Sequence, residues 1–208
     1  MLELFISAFV TLFVVIDPPG CAPIYAGLTK AALPAQARSM AMRACAIAAV
    51  ILVGFALFGE QLLAALHIEL DSFRIAGGFM LFWIAFEMVF EKRTERREQR
   101  ADKVRATTPE VEDVSVFPMA MPMLAGPGAI AAIMLLTNEA QGTEQTLAVL
   151  GALASVLLLT MLALMAAGPL MRVFGDKVEA VITRLLGVLL AALAAQYVID
   201  GLRGSFMA

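Results

Sequence analysis

Two apolar stretches of this chain are interrupted in the same way, 108 residues apart. The first reads Val15-Ile16-Asp17-Pro18-Pro19-Gly20-Cys21-Ala22-Pro23, and the second Met123-Leu124-Ala125-Gly126-Pro127-Gly128-Ala129. Each carries a Pro-Gly pair inside a hydrophobic run. Proline removes a helix hydrogen bond and its ring clashes with the preceding turn. Lipid cannot satisfy the backbone groups this frees, so such breaks persist only where protein or a water-filled cavity surrounds them. Paired breaks in two halves of a membrane protein are a sequence pointer to a transport site.

The composition fits a membrane setting. Of 208 residues, 61% are hydrophobic and 16% charged, with mean hydropathy +0.87. A soluble domain has about 45–50% apolar residues. Six apolar segments emerge, at 2–28, 40–63, 70–90, 115–137, 147–170 and 181–202, each near the ~20 residues that cross a bilayer core. The N-terminus lacks a basic region and a small-residue cleavage site, so it reads as a retained first helix rather than a signal peptide.

The spacing predicts an all-α polytopic membrane protein with six transmembrane helices, the first and fourth broken at Pro-Gly. The chain divides into a first three-helix repeat (1–90), a charged linker (91–113) and a second three-helix repeat (114–208). Glu69-x-x-x-x-Arg74-x-x-Gly77 matches Glu179-x-x-x-x-Arg184-x-x-Gly187 at an offset of 110. Gly59 and Gly168 align at 109, and the breaks at 108. Three spans per half is an odd number, so the second copy must run inverted through the membrane, as in many secondary transporters. The first, third and fifth loops hold thirteen Lys and Arg against two on the other side, Arg74 and Arg203. The positive-inside rule therefore makes the linker cytoplasmic and puts both termini outside. Interleaved acidic residues make the linker a solvated extension rather than a nucleic-acid patch, with anionic lipid as a weak alternative partner.

Asp17 admits two readings. A carboxylate deep in a span marks a functional site by default. Asp before Pro-Pro is also a natural helix N-cap, with Pro18 at the first helical position. The half-helix N-termini near Gly20–Cys21 and Gly128–Ala129 favour an anionic group such as a substrate carboxylate. Carbonyls freed near Ile16 and Leu124 favour an ammonium or a cation. A zwitterion suits such ends. The candidate substrate-binding residues are Asp17, Pro19, Gly20, Cys21, Pro23, Ala125, Gly126, Pro127, Gly128 and Ala129. A polar pathway for coupling to H⁺ or Na⁺ draws on Asp17, Glu87 and Gln196. Glu87 has a competing reading as a side chain snorkelling to the cytoplasmic interface, and Gln196 as a helix–helix hydrogen bond. The stripes Ala41/Cys45/Ala49 and Gly187/Ala191/Ala195 read as close-packing faces. His67 has no histidine partner, and the two cysteines form no CxxC pair, so neither a metal nor a cofactor is expected. No HExxH or GxSxG motif argues for an enzyme.

Three segments give a more specific resemblance: Asp17-Pro18-Pro19-Gly20-Cys21-Ala22-Pro23-Ile24-Tyr25, Pro118 through Ile130, and Arg184-Leu185-Leu186-Gly187 through Gln196, Asp200 and Gly201, with Arg74-Ile75-Ala76-Gly77-Gly78 in support. In these the chain resembles the MarC family of bacterial inner-membrane proteins, which is similar to the LysE-type exporter superfamily. The resemblance covers nearly the whole chain. It implies an inner-membrane transporter of small neutral amino acids or related metabolites, with export as one direction it could serve. The family usually has Asn where this chain has Cys21, and often Ser or Thr where it has Ala131-Ala132, so the break regions here are less polar. A non-transporting membrane or regulatory protein is the alternative, and a homo-oligomer is left open.

Overall fold

The computed structural model describes residues 1–90, Lys92, Glu95, Arg96, Gln99 and 113–207; at 170–179 and 207 it describes the backbone only. The other linker positions, including Arg93, Arg97, Arg100, Lys103 and Arg105, lie outside the described residues, as do the side chains of Arg172, Lys177 and Glu179.

The described chain is mostly helical: α1 (Leu2–Ile16), α2 (Pro18–Leu28), α3 (Pro34–Ala65), α4 (Leu70–Val89), α5 (Ser115–Leu124, π-helical and interrupted by extended backbone at Phe117 and Met121), α6 (Pro127–Glu139), α7 (Thr143–Met165) and α8 (Ala167–Met207). Five helical stretches are long and apolar enough to cross a membrane, and a sixth forms if α5 and α6 are one bent span. The first and fourth spans are both interrupted, at positions just before the Pro-Gly pairs. Asp17 separates α1 from α2, and the two continue as one span from Leu2 to Leu28. Ala125 and Gly126 separate α5 from α6, which are bent by 54°. Prolines at the first helical positions explain the displacement. Their missing N–H groups belong to a helix start, so the break falls on the residue before them.

Two details differ from the sequence reading. The loop expected between 170 and 181 is helical. The chain turns at Ala166, and α8 starts at Ala167. Pro169 is tolerated there because first-turn N–H groups have no helical partner. The close-packing faces are also shifted. On α8 between 180 and 206 the buried positions are Thr183, Gly187, Leu190, Ala194, Tyr197 and Gly201, while Ala195 is exposed. On α3 they are Met40, Ala41, Ala44, Cys45, Ala48, Leu52, Gly59 and Leu63. Strict four-residue steps drift by roughly 40° each around a 3.6-residue helix, so a straight contact needs threes mixed with fours.

The helices pair in matched sets. α1 packs on α7 and α5 on α3; α2 on α7 and α6 on α3; α2 on α8 and α6 on α4. α4 packs against α8, and α3 against α7. The α4–α8 contact is antiparallel and rests on glycines. A Cβ at Gly78 would lie 2.7 Å from Val198 and 2.9 Å from the Ala194 carbonyl oxygen. A Cβ at Gly187 would lie 3.1 Å from both Val89 and the Ala85 carbonyl oxygen. Gly78 and Gly187, Ala85 and Ala194, and Val89 and Val198 are all 109 apart. Each helix thus offers the other the same close approach.

Candidate functional site

The two breaks handle their backbone groups differently. At the first, Asp17 adopts the left-handed conformation (φ 60°, ψ 66°) and joins the two helices. Aspartate visits this region more readily than most residues because its short side chain bonds locally. Its N–H closes α1 on the Phe13 carbonyl at 2.9 Å. Its carboxylate accepts from the Gly20 N–H at 3.1 Å, and its carbonyl from the Cys21 N–H at 3.0 Å. Pro18 and Pro19 have no N–H to offer. The Cys21 thiol donates to the Ile16 carbonyl at 3.5 Å. The amides expected to be exposed at Gly20–Cys21 are therefore engaged within the break. The geometry is that of a helix cap, and Asp17 is 1% exposed. Gly20 is needed because a Cβ there would fall 2.3 Å from the Asp17 Oδ2.

The second break has no such cap. Gly126 is extended (φ −79°, ψ 170°) and offers no side chain. Pro127 lacks an N–H, and the Ile130 N–H returns to the Gly126 carbonyl at 3.0 Å. Among the described residues no acceptor takes the N–H groups of Gly128 and Ala129. Gly126 itself allows a tight turn, because a Cβ would lie 2.4 Å from the Pro122 carbonyl oxygen.

Gly126, Pro127, Gly128 and Ala129 border a cavity of about 340 Å³, near the lower end of the ~300–1,000 Å³ of ligand pockets. Its apolar wall comes from Val15, Met80, Ile84, Pro122 and Met123. Val15 immediately precedes Ile16 and the first break, and a Cβ on Gly128 would be 3.6 Å from its Cγ1. The two breaks therefore adjoin, with the uncapped one opening on the cavity.

The polar end of the cavity is Glu87, only 6% exposed, with Trp83 and Arg96. Glu87 Oε1 accepts from the Trp83 indole Nε1 at 2.8 Å and pairs with Arg96 Nη1 at 2.6 Å. Glu87 is buried within the chain and held by these two donors. Trp83 and Glu87 are four apart on α4 and so share a face. Arg96 arrives differently. It lies beyond the end of α4 at Val89 and is not among the three- or four-apart neighbours that share a helix face with Glu87.

Of the expected site residues, the structure gathers Gly126, Pro127, Gly128, Ala129 and Glu87 around one cavity. Asp17, Gly20 and Cys21 are buried in the adjoining break without lining it, while Pro19 and Pro23 are half-buried on α2 and Ala125 is buried at the bend. Gln196 is exposed on α8, where its amide donates to Asp200 at 2.9 Å. Sequence reasoning missed Trp83 and the role of Arg96. The four-residue spacing of the sole tryptophan from Glu87 was a usable signal. Nothing in the charge pattern distinguishes Arg96 from its linker neighbours.

Residues 2–206 match the family model described as MarC family integral membrane protein. A membrane protein of Methanocaldococcus jannaschii, named UPF0056 membrane protein, is 34% identical, with 99% of each chain covered. The UPF0056 membrane protein YvbG of Bacillus subtilis is 32% identical over 99% of this chain and 97% of its own. The UPF0056 inner membrane protein YhgN of Escherichia coli is 31% identical over 95% of each. These names describe membrane proteins and no enzymatic activity. No solved structure matches the chain. Its breaks, spans and near full-length similarity to these proteins agree, and the chain belongs to the MarC family of integral membrane proteins.

Proposed function

We propose that this chain is an inner-membrane secondary transporter of small neutral amino acids or related metabolites, with the cavity at the second break as its substrate site. One observation carries the reading: two unpartnered amides and a buried carboxylate border the same cavity. The Gly128 and Ala129 N–H groups, at the positive end of the α6 dipole, suit a substrate carboxylate. The Glu87 carboxylate suits its ammonium. The apolar wall between them suits a short aliphatic side chain, and leaves no polar partner for a larger hydrophilic one. The engaged amides of the first break shift the zwitterion reading wholly onto the second.

The matched helix pairings and the reciprocal glycine contacts of α4 and α8 support two inverted halves. Rocking of one half against the other around the cavity is the corresponding transport motion. Coupling would run to H⁺ or Na⁺, with Glu87 or Asp17 as the acidic group, both termini outside and the linker in the cytoplasm.

The test is exchange of labelled alanine, glycine and serine by purified protein in liposomes, across several pH values and with or without a Na⁺ gradient. Exchange that is lost in Glu87→Gln is expected. Absence of flux for every amino acid under all these conditions would sink the proposal.

A further inference from the structure

We propose that Arg96 is a built-in competitor of the substrate. Its guanidinium occupies the cation-binding end of the cavity, and a substrate ammonium must displace it from Glu87. This rests on the reading that the cavity takes a zwitterion.

The two partners of the ion pair are unequally placed. Glu87 is almost wholly buried on a membrane-spanning helix, whereas half of the Arg96 side chain is exposed. Arg96 can therefore withdraw into water, and Glu87 cannot follow it. A buried carboxylate stripped of its partner is strongly unfavourable. Some cation must stay on Glu87, and exchanging a guanidinium for an ammonium keeps the charge balanced. Trp83 helps the exchange, because its indole N–H stays on Oε1 and fixes the carboxylate in both states. The contact also joins α4 to a residue beyond its end, since α4 stops at Val89 and Arg96 follows it. Arg96 is thereby held when the cavity holds no ammonium and released when it does. Occupancy of the cavity becomes readable at the linker.

Limited trypsin digestion of the detergent-purified full chain tests the seat of Arg96 directly. Cleavage after Arg96 is expected to be several-fold faster in Glu87→Gln than in the wild type, with both proteins eluting as folded species. Saturating L-alanine is expected to accelerate the same cleavage in the wild type. Equal rates in wild type and Glu87→Gln would overturn the seat, whatever the protein transports. Unchanged cleavage on adding alanine that demonstrably binds would overturn the competition. A second variant avoids dependence on Glu87→Gln folding. The fluorescence of Trp83, the single tryptophan, reports alanine binding, and Arg96→Gln is expected to lower its titration midpoint several-fold. An unchanged midpoint would also overturn the competition. Silence toward alanine in both proteins counts against the transport reading and the competition together, while the Glu87→Gln digestion still decides the Arg96 seat.

Discussion

Asp17 performs three backbone tasks at once: it ends α1, starts α2 and holds the Gly20 amide. Asparagine can do all three, because its side-chain oxygen still accepts and it also tolerates the left-handed region. Asp17→Asn is therefore expected to melt within a few degrees of the wild type. Asp17→Ala loses the cap and keeps the strained conformation, for a cost of about 1–3 kcal/mol. Thermal unfolding of both in detergent checks this order. It also separates structure from transport: if Asp17→Asn folds but no longer exchanges alanine, the charge itself acts in transport. Gly126→Ala is the parallel test at the second break. Its Cβ would meet the Pro122 carbonyl oxygen at 2.4 Å, and backbone cannot yield as a side chain does. Loss of both stability and flux is expected, measured by the same melt and the same liposome exchange.

At the scale of elements, the α4–α8 crossing depends on missing side chains. Overpacking a tight contact costs roughly 1–3 kcal/mol. Gly78→Leu and Gly187→Leu are each expected to destabilise the protein by at least that much, because each pushes against a backbone carbonyl as well as a side chain. Equal melts for these variants and the wild type would contradict the crossing. The entry to α5 is held to α3 by Arg43 and Asp113. Partial burial raises the Asp113 carboxyl, but hydrogen bonds from the Ser115 hydroxyl and N–H, together with Arg43, outweigh it and hold the pKa below its ordinary value. A depressed carboxylate stabilises the fold at pH above its unfolded value, and this contribution fades as pH falls through the lowered folded value. The pair is largely exposed, so the effect is small. A pH series of melts is expected to show a slightly shallower acid loss in Asp113→Asn than in the wild type.

For the whole molecule, the open question with the sharpest answer is orientation. The cation asymmetry predicts a cytoplasmic linker with both ends outside. Both native cysteines are buried, so introduced cysteines will report with little background. In intact cells, Ser205→Cys is expected to react with a membrane-impermeant maleimide, and Lys103→Cys only after the membrane is permeabilised. The reverse pattern would invert the molecule and place the Arg96 seat on the outer side.

Much of this was legible in the order of residues. Six apolar runs of bilayer length, two of them interrupted, and a charged linker depend only on local composition and on what proline does to a helix. The chemistry of each break was only half legible. Asp17 before Pro-Pro reads as a cap from sequence because a cap is local, made within four residues. That the other break stays uncapped is equally local, since Gly126 has no side chain. Which break opens on a cavity, and which charge stands across from it, was not legible. Glu87 pairs with Arg96 from beyond the end of its own helix, and Val15 reaches Gly128 only through the packing of α1 on α6. Sequence by itself determined the spans and the positions of their breaks, because hydrophobicity and backbone hydrogen bonding act over a few residues. Only the tertiary structure decided that Glu87 is a buried, ion-paired carboxylate, because burial and ion pairing depend on groups outside its own helix.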